Sequence, residues 1–209
     1  MSRFDLSLYL VTDPSAAHGV VETAKAAAAN GATMVQLRDK HADDDALIEQ
    51  AKALKEALAP FNVPLIINDR LDVAVAADAE GVHLGQSDGS LEVARKTLGP
   101  RGIIGLSIDQ PSQLDPQLSF FVDYFGIGPV FATDTKAEHA PPIGFDGLAR
   151  IIAQTEKACV AIGGLKPGHL GAVRRAGADG AAVVSAICGA DDPGAMTKQM
   201  RTEWEGAAP

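Results

Sequence analysis

The strongest constraint in this sequence is a repeat of pattern rather than of residues: a short apolar run, then a helical stretch, eight times over. The runs fall at 8–11, 33–37, 63–67, 81–84, 103–106, 123–128, 159–162 and 180–184. They are continuous rather than alternating, as expected for strands buried on both faces of a parallel sheet. The stretches between them read as helices at 18–30, 43–58, 71–77, 91–98, 111–118, 145–155, 169–176 and 193–204. Gly31 stops the first. The second carries Leu47, Ile48, Ala51, Leu54, Ala57 and Leu58 at helical spacing, behind Asp43, Asp44 and Asp45, which suit its N-terminal turn. Pro111 and Pro116 weaken the fifth. Eight such units in a row predict an α/β fold, a single compact (β/α)₈ TIM barrel. An open doubly wound sheet would have fewer units and a glycine fingerprint at its first turn, and Val11-Thr12-Asp13-Pro14 is not one. A barrel typically has about 250 residues, so this chain of 209 is expected to be one domain over 1–209, with 205–209 a loose C-terminal tail.

Charge and cysteine content narrow the function classes. Lys and Arg number 18 against 27 Asp and Glu, a formal net charge of −9. That balance argues against nucleic acid, which needs a basic footprint. A small anionic ligand is still admissible, because a site can be locally positive. Cys159 and Cys188 lack metal-type spacing and give no disulfide framework, so buried free thiols are expected. The first residues lack a signal-peptide layout, and there is no apolar stretch of about 18 residues for a membrane span. Cytoplasmic location is the expectation.

In a barrel, chemistry sits where strands hand over to helices. After the second strand, Gln36, Arg38 and Lys40 share one face of an extended segment and could hold an anion, or form a solvated charged loop. After the third and fourth come Asn68-Asp69-Arg70 and His83-Leu84-Gly85-Gln86-Ser87-Asp88. Asp69 and Asp88 on neighbouring strand ends suit Mg²⁺, which takes few protein oxygens and completes its shell with water and phosphate. Singly, each could instead cap the following helix. His83 is a general base or a packing residue. Ser107 follows the fifth strand and, taken on its own, reads as a cap. The loop 129–144 holds Thr133, Thr135 and Lys136, whose hydroxyls and cation suit phosphate. Gly163-Gly164 and Val184-Ser185-Ala186-Ile187 follow the last strands, where barrels often bind phosphate on backbone N–H groups, or are plain turns. Arg38, Lys40, Lys136 and Mg²⁺ against the two carboxylates leave about +3, enough to hold a diphosphate.

In this order, Leu8 to Asp13, Gln36 to Lys40, Asn68 to Arg70, Gly81 to Asp88, Gly105 to Ser107, Gly126 to Phe131, Thr133 to Lys136, Ile162 to Gly164 and Val184 to Ile187 resemble the thiamine-phosphate synthase family over nearly the whole chain. The resemblance implies a Mg²⁺-dependent transferase of thiamine biosynthesis. Such an enzyme joins 4-amino-2-methyl-5-hydroxymethylpyrimidine diphosphate to 4-methyl-5-(2-phosphoethyl)thiazole, or its carboxylated form, by dissociative substitution. By the same resemblance, Gln36, Arg38, Lys40 and Asn68 contact the pyrimidine diphosphate, as do Ser107 and Lys136, and Asp69 and Asp88 hold the metal. Arg38, Lys40, Ser107 and Lys136 carry the catalysis, while Thr133, Thr135, Gly164, Val184 and Ser185 hold the thiazole phosphate. Two features depart from the family: Ile108-Asp109-Gln110-Pro111 replaces a small residue followed by histidine or threonine, and Asp39 stands where glutamate is common. The rival readings are a thiazole tautomerase of the same fold and a non-catalytic phosphate-ligand-binding module. Partners are expected to be small molecules, and the sequence leaves a homo-oligomer open.

Overall fold

The structure, a computed structural model, describes residues 4–133 and 141–207. Its strands are β1 (Leu8–Val11), β2 (Met34–Leu37), β3 (Leu65–Asn68), β4 (Gly81–Leu84), β5 (Ile103–Ile108), β6 (Tyr124–Ile127), β7 (Ala158–Ile162) and β8 (Gly180–Val183). They form one closed barrel in chain order, with β8 returning to β1. Every pairing is parallel, with registers such as Val11↔Gln36, Asn68↔His83 and Ser107↔Gly126. The helices are α1 (Val20–Ala29), α2 (Asp44–Leu58), α3 (Leu71–Ala76), α4 (Leu91–Leu98), α5 (Gly144–Ile152), α6 (Leu170–Arg175), α7 (Ser185–Cys188) and α8 (Pro193–Gly206). None of the described helices is long and apolar enough to cross a membrane.

The apolar residues sort into two compartments. Outward-facing strand residues such as Leu8, Leu10, Val35 and Leu37 pack against the helices. Inward-facing Tyr9, Val11, Met34, Ile66, Tyr124, Val160 and Ala182 fill the barrel. Alternation along each strand therefore exists, but both faces are apolar, which is why the runs read as continuous. In α2 the Asp43 side chain accepts from Ala46 N–H at 2.8 Å, with Asp44 and Asp45 in the first turn. Its buried face is Leu47, Ala51, Leu54 and Leu58.

At the N-terminal rim one device occurs four times. Thr33 Oγ1 accepts from Leu8 N–H, Glu80 from Leu65 N–H, Asp123 from Ile104 N–H and Asp179 from Cys159 N–H. Each of these residues also donates its own N–H to the carbonyl of the same partner. The side chain just before each even strand thus satisfies an N–H near the start of the preceding odd strand. Without it that N–H would be a buried orphan.

Four expectations change. Residues 111–118 form no α-helix but two 3₁₀ turns, Pro111–Gln113 and Leu118–Phe120, because proline withholds the N–H donors a longer helix needs. β5 extends to Ile108, so Ser107 lies within the strand rather than after it. The four-residue α7 is new, too short to show a period. α8 runs to Gly206, and Glu205 inside it pairs with Arg201 at 2.7 Å, so 205 and 206 are helix rather than tail. Both cysteines are free and buried, and burial pushes their thiols up, to about 12 for Cys159 and about 11 for Cys188, away from reactivity.

Candidate active site

A cleft of about 1110 Å³, counted out to solvent, opens at the C-terminal mouth of the barrel. Gln36, Arg38, Lys40, Asn68, Asp69, Asp88, Ser107, Thr133, Gly164, Val184 and Ser185 all line it. Residues from seven different strand ends are thus brought together. Thr135 and Lys136 lie outside the described residues. A second hollow lies near Phe4, Lys55 and Arg101 at the opposite rim, away from the strand ends where barrel chemistry occurs.

The loop after β2 is shaped by the residue between its two cations. Asp39 Oδ1 accepts from the N–H groups of His41 and Ala42 at 2.9 and 3.1 Å, so this carboxylate serves its own turn. Arg38 N–H donates to the buried Thr12 hydroxyl at 3.0 Å, fixing the start of the loop against β1. Arg38 and Lys40 on either side line the cleft, as the alternating spacing requires.

Asp69 owes its position to strained backbone. Its φ is 63°, in the left-handed region, and Arg70 N–H closes a tight turn onto Asn68 O at 2.8 Å. Neither carboxylate caps a helix. Arg70 precedes α3 without a side-chain cap, and Ser90, not Asp88, caps α4. Asp88 instead accepts from Gly85 N–H at 2.7 Å within its own loop. The two carboxyl groups meet across the mouth. Burial, then the Asp88 carboxyl beside it, raises the Asp69 carboxyl above the usual carboxylate range, while Lys40, 3.4 Å from Asp69 Oδ2, opposes the rise. Among the described residues, no group of three or more His, Cys, Asp or Glu is arranged to hold a metal. Two converging carboxylates beside the cations Arg38 and Lys40 are a donor set that fits Mg²⁺, which draws its remaining ligands from water and phosphate.

Between β6 and β7 the mouth is walled by backbone. Gly163 and Gly164 have φ of 99° and 64°, and a Cβ on Gly164 would lie 2.7 Å from Ala132 O. Only glycine lets this turn approach the start of the loop after β6 so closely. Val184 and Ser185, at the start of α7, complete this side.

Sequence reasoning missed a buried polar chain below the mouth. Gln36 Nε2 donates to Tyr9 Oη at 2.8 Å, Tyr9 Oη meets Tyr124 Oη at 2.9 Å, and Tyr124 Oη meets His83 Nδ1 at 2.9 Å. His83 Nε2 then meets Ser107 Oγ at 3.0 Å. Ser107 is therefore not a helix cap. Tyr9, His83 and Asp109 also line the cleft. The tyrosines were hidden because they sit inside runs that read as plain core, where one sequence cannot distinguish inward from outward.

Comparison with known proteins shows the family and the fold. A family described as thiamine monophosphate synthase matches residues 8–187. The thiamine-phosphate synthase of Xanthobacter autotrophicus is 54% identical over 192 residues, 91% of each chain. That of Azorhizobium caulinodans is 49% identical over 201 residues, 95% of each. The solved thiamine phosphate pyrophosphorylase of Pyrococcus furiosus is 35% identical, covers 97% of each chain and superposes with a TM-score of 0.87. With a family match over most of the chain, relatives at about half identity and a closed barrel that superposes on a solved member, the chain belongs to the thiamine monophosphate synthase family.

Proposed function

We propose that the chain joins 4-amino-2-methyl-5-hydroxymethylpyrimidine diphosphate to 4-methyl-5-(2-phosphoethyl)thiazole, or its carboxylated form, giving thiamine phosphate and diphosphate. Its relatives carry the name of that activity. The observation that carries the reading is the meeting of Arg38, Lys40, Asn68, Asp69, Asp88 and Ser107 in one mouth. A thiazole tautomerase or a monophosphate binder would not need this diphosphate set.

In this reading Asp69 and Asp88 would hold Mg²⁺, which would supply charge neutralisation for the departing diphosphate. Arg38 and Lys40 bind the diphosphate, and Ser107 donates a hydrogen bond to it. Such preorganised donors are worth about 10²–10³ in rate where charge develops. Gln36 and Asn68 orient the pyrimidine. The backbone at Gly164, Val184 and Ser185, with Thr133, holds the thiazole phosphate so that its ring nitrogen faces the cation formed as diphosphate leaves. Val11, Val160, Ile162 and Ala182 line the floor and offer that cation no nucleophile. By resemblance, Lys136 joins the diphosphate contacts and Thr135 the monophosphate contacts. We place the reaction in the cytoplasm.

The test is direct: incubate the protein with both substrates and Mg²⁺ and measure thiamine phosphate by mass. Product is expected. Its absence from folded protein overturns the reading.

A further inference from the structure

The chain from Gln36 to Ser107 has a direction, and the direction follows from counting protons. The Gln36 amide nitrogen can only donate, so Tyr9 Oη accepts from it. Among the described residues the partners of Tyr9 Oη are Gln36 and Tyr124. Tyr9 is 1% exposed, so its own proton cannot be left to water and must go to Tyr124 Oη. Tyr124, which is fully buried, then has its lone pair engaged and passes its proton to His83 Nδ1. With Nδ1 accepting, the neutral imidazole carries its proton on Nε2 and donates it to Ser107 Oγ. One Ser107 lone pair is thereby occupied, and its own proton is left to point into the cleft, where an anion can only accept it.

We propose that Gln36, Tyr9, Tyr124 and His83 form a one-way hydrogen-bond relay that fixes His83 as its Nε2–H tautomer and turns Ser107 into an obligate donor toward the leaving diphosphate. Tyr9, Tyr124 and His83 are positioning residues; Ser107 is the group that touches substrate. The reversed polarity would leave the buried Tyr9 proton without an acceptor, at the full desolvation cost of that group. It would also present a Ser107 lone pair to an anion. Burial raises both tyrosine hydroxyls above their ordinary range, so they keep the protons the relay requires. The barrel makes room for the ring at two bare positions: a Cβ on Gly105 would collide with His83 Nδ1 and Tyr124 Oη, and one on Gly126 would lie 2.9 Å from His83 Cε1.

This relay rests on the proposed reaction for its last step, so the test has one arm that needs no substrate. Nitrogen-15 NMR of the histidine-labelled protein at neutral pH should show His83 neutral, with Nε2 protonated and Nδ1 of pyridine type. The opposite tautomer, or a charged ring, overturns the relay. In the kinetic arm, Tyr124→Phe, which keeps the ring and its packing, should lower kcat about tenfold while KM moves little, and should let the His83 tautomers mix. In a Ser107→Ala background the same change should cost nothing further, because its effect runs through Ser107. Losses that multiply in the double variant overturn the relay. A wild-type protein that makes no thiamine phosphate yet shows the Nε2–H tautomer overturns the proposed reaction and leaves the geometry of the relay standing.

Discussion

The carboxyl groups of Asp69 and Asp88 face one another at the barrel mouth, and Lys40 Nζ stands 3.4 Å from Asp69 Oδ2. This pairing of like charges works against the fold by itself and, in the proposed reading, is what a divalent cation would relieve.

Asp69→Asn separates those two effects. Asparagine tolerates the left-handed φ of 63° and removes the repulsion. The lost ion pair is with a half-exposed lysine and is worth little. Thermal unfolding in chelator should show a Tm equal to or above wild type. Mg²⁺-dependent turnover should fall at least about 100-fold. A large drop in metal-free Tm would contradict this account of the site.

The same carboxyl makes stability depend on pH. Its ordinary value is 3.8, and in the fold it lies higher, chiefly through burial and then through Asp88. Between the two values the folded state holds a proton that the unfolded chain has released, so stability falls as pH rises. The contribution is complete below the ordinary value and is lost as pH climbs through the raised one. Denaturant midpoints in chelator across the acid range should show wild type losing stability relative to Asp69→Asn as pH increases. Mg²⁺ should shrink that difference. A difference that is flat with pH would contradict the raised value.

Gly164→Ala tests the wall between β6 and β7. The new methyl meets both a left-handed φ of 64° and Ala132 O at 2.7 Å. A destabilisation of about 1–2 kcal/mol is expected from the backbone alone. Steady-state kinetics should show KM for the thiazole phosphate rising more than KM for the pyrimidine diphosphate. Equal rises would contradict the assignment of this wall to the monophosphate.

Asp123→Ala tests the opposite rim. It removes the acceptor of Ile104 N–H and the carboxylate partner of the largely buried Arg95. About 2–4 kcal/mol should be lost in denaturant unfolding. Among molecules still folded, kcat/KM should be unchanged. A selective loss of activity at full stability would contradict a purely structural role.

Most of the architecture could be read in advance because eight continuous apolar runs have few folds open to them, and the barrel places its polar residues at strand ends. Arg38, Lys40, Asp69 and Asp88 stood out as charged residues directly after apolar runs. Tyr9 and Tyr124 did not, and His83 stood out without its partners. Their partners are 24 to 115 residues away in sequence, and a strand flanked by core on both sides gives no sign of which face looks inward. Ser107 showed its position but not its partner, and α7 is shorter than any period that could announce it.

The four clamps at the N-terminal rim tie strands one to two, three to four, five to six and seven to eight. Beside the backbone pairing that closes the barrel, the strands are thus clamped two by two at the rim opposite the cleft. The loops that line the cleft, by contrast, are touched by no clamp. A chain built this way can change what it accepts by exchanging upper loops, one quarter at a time, without renegotiating how its strands keep phase.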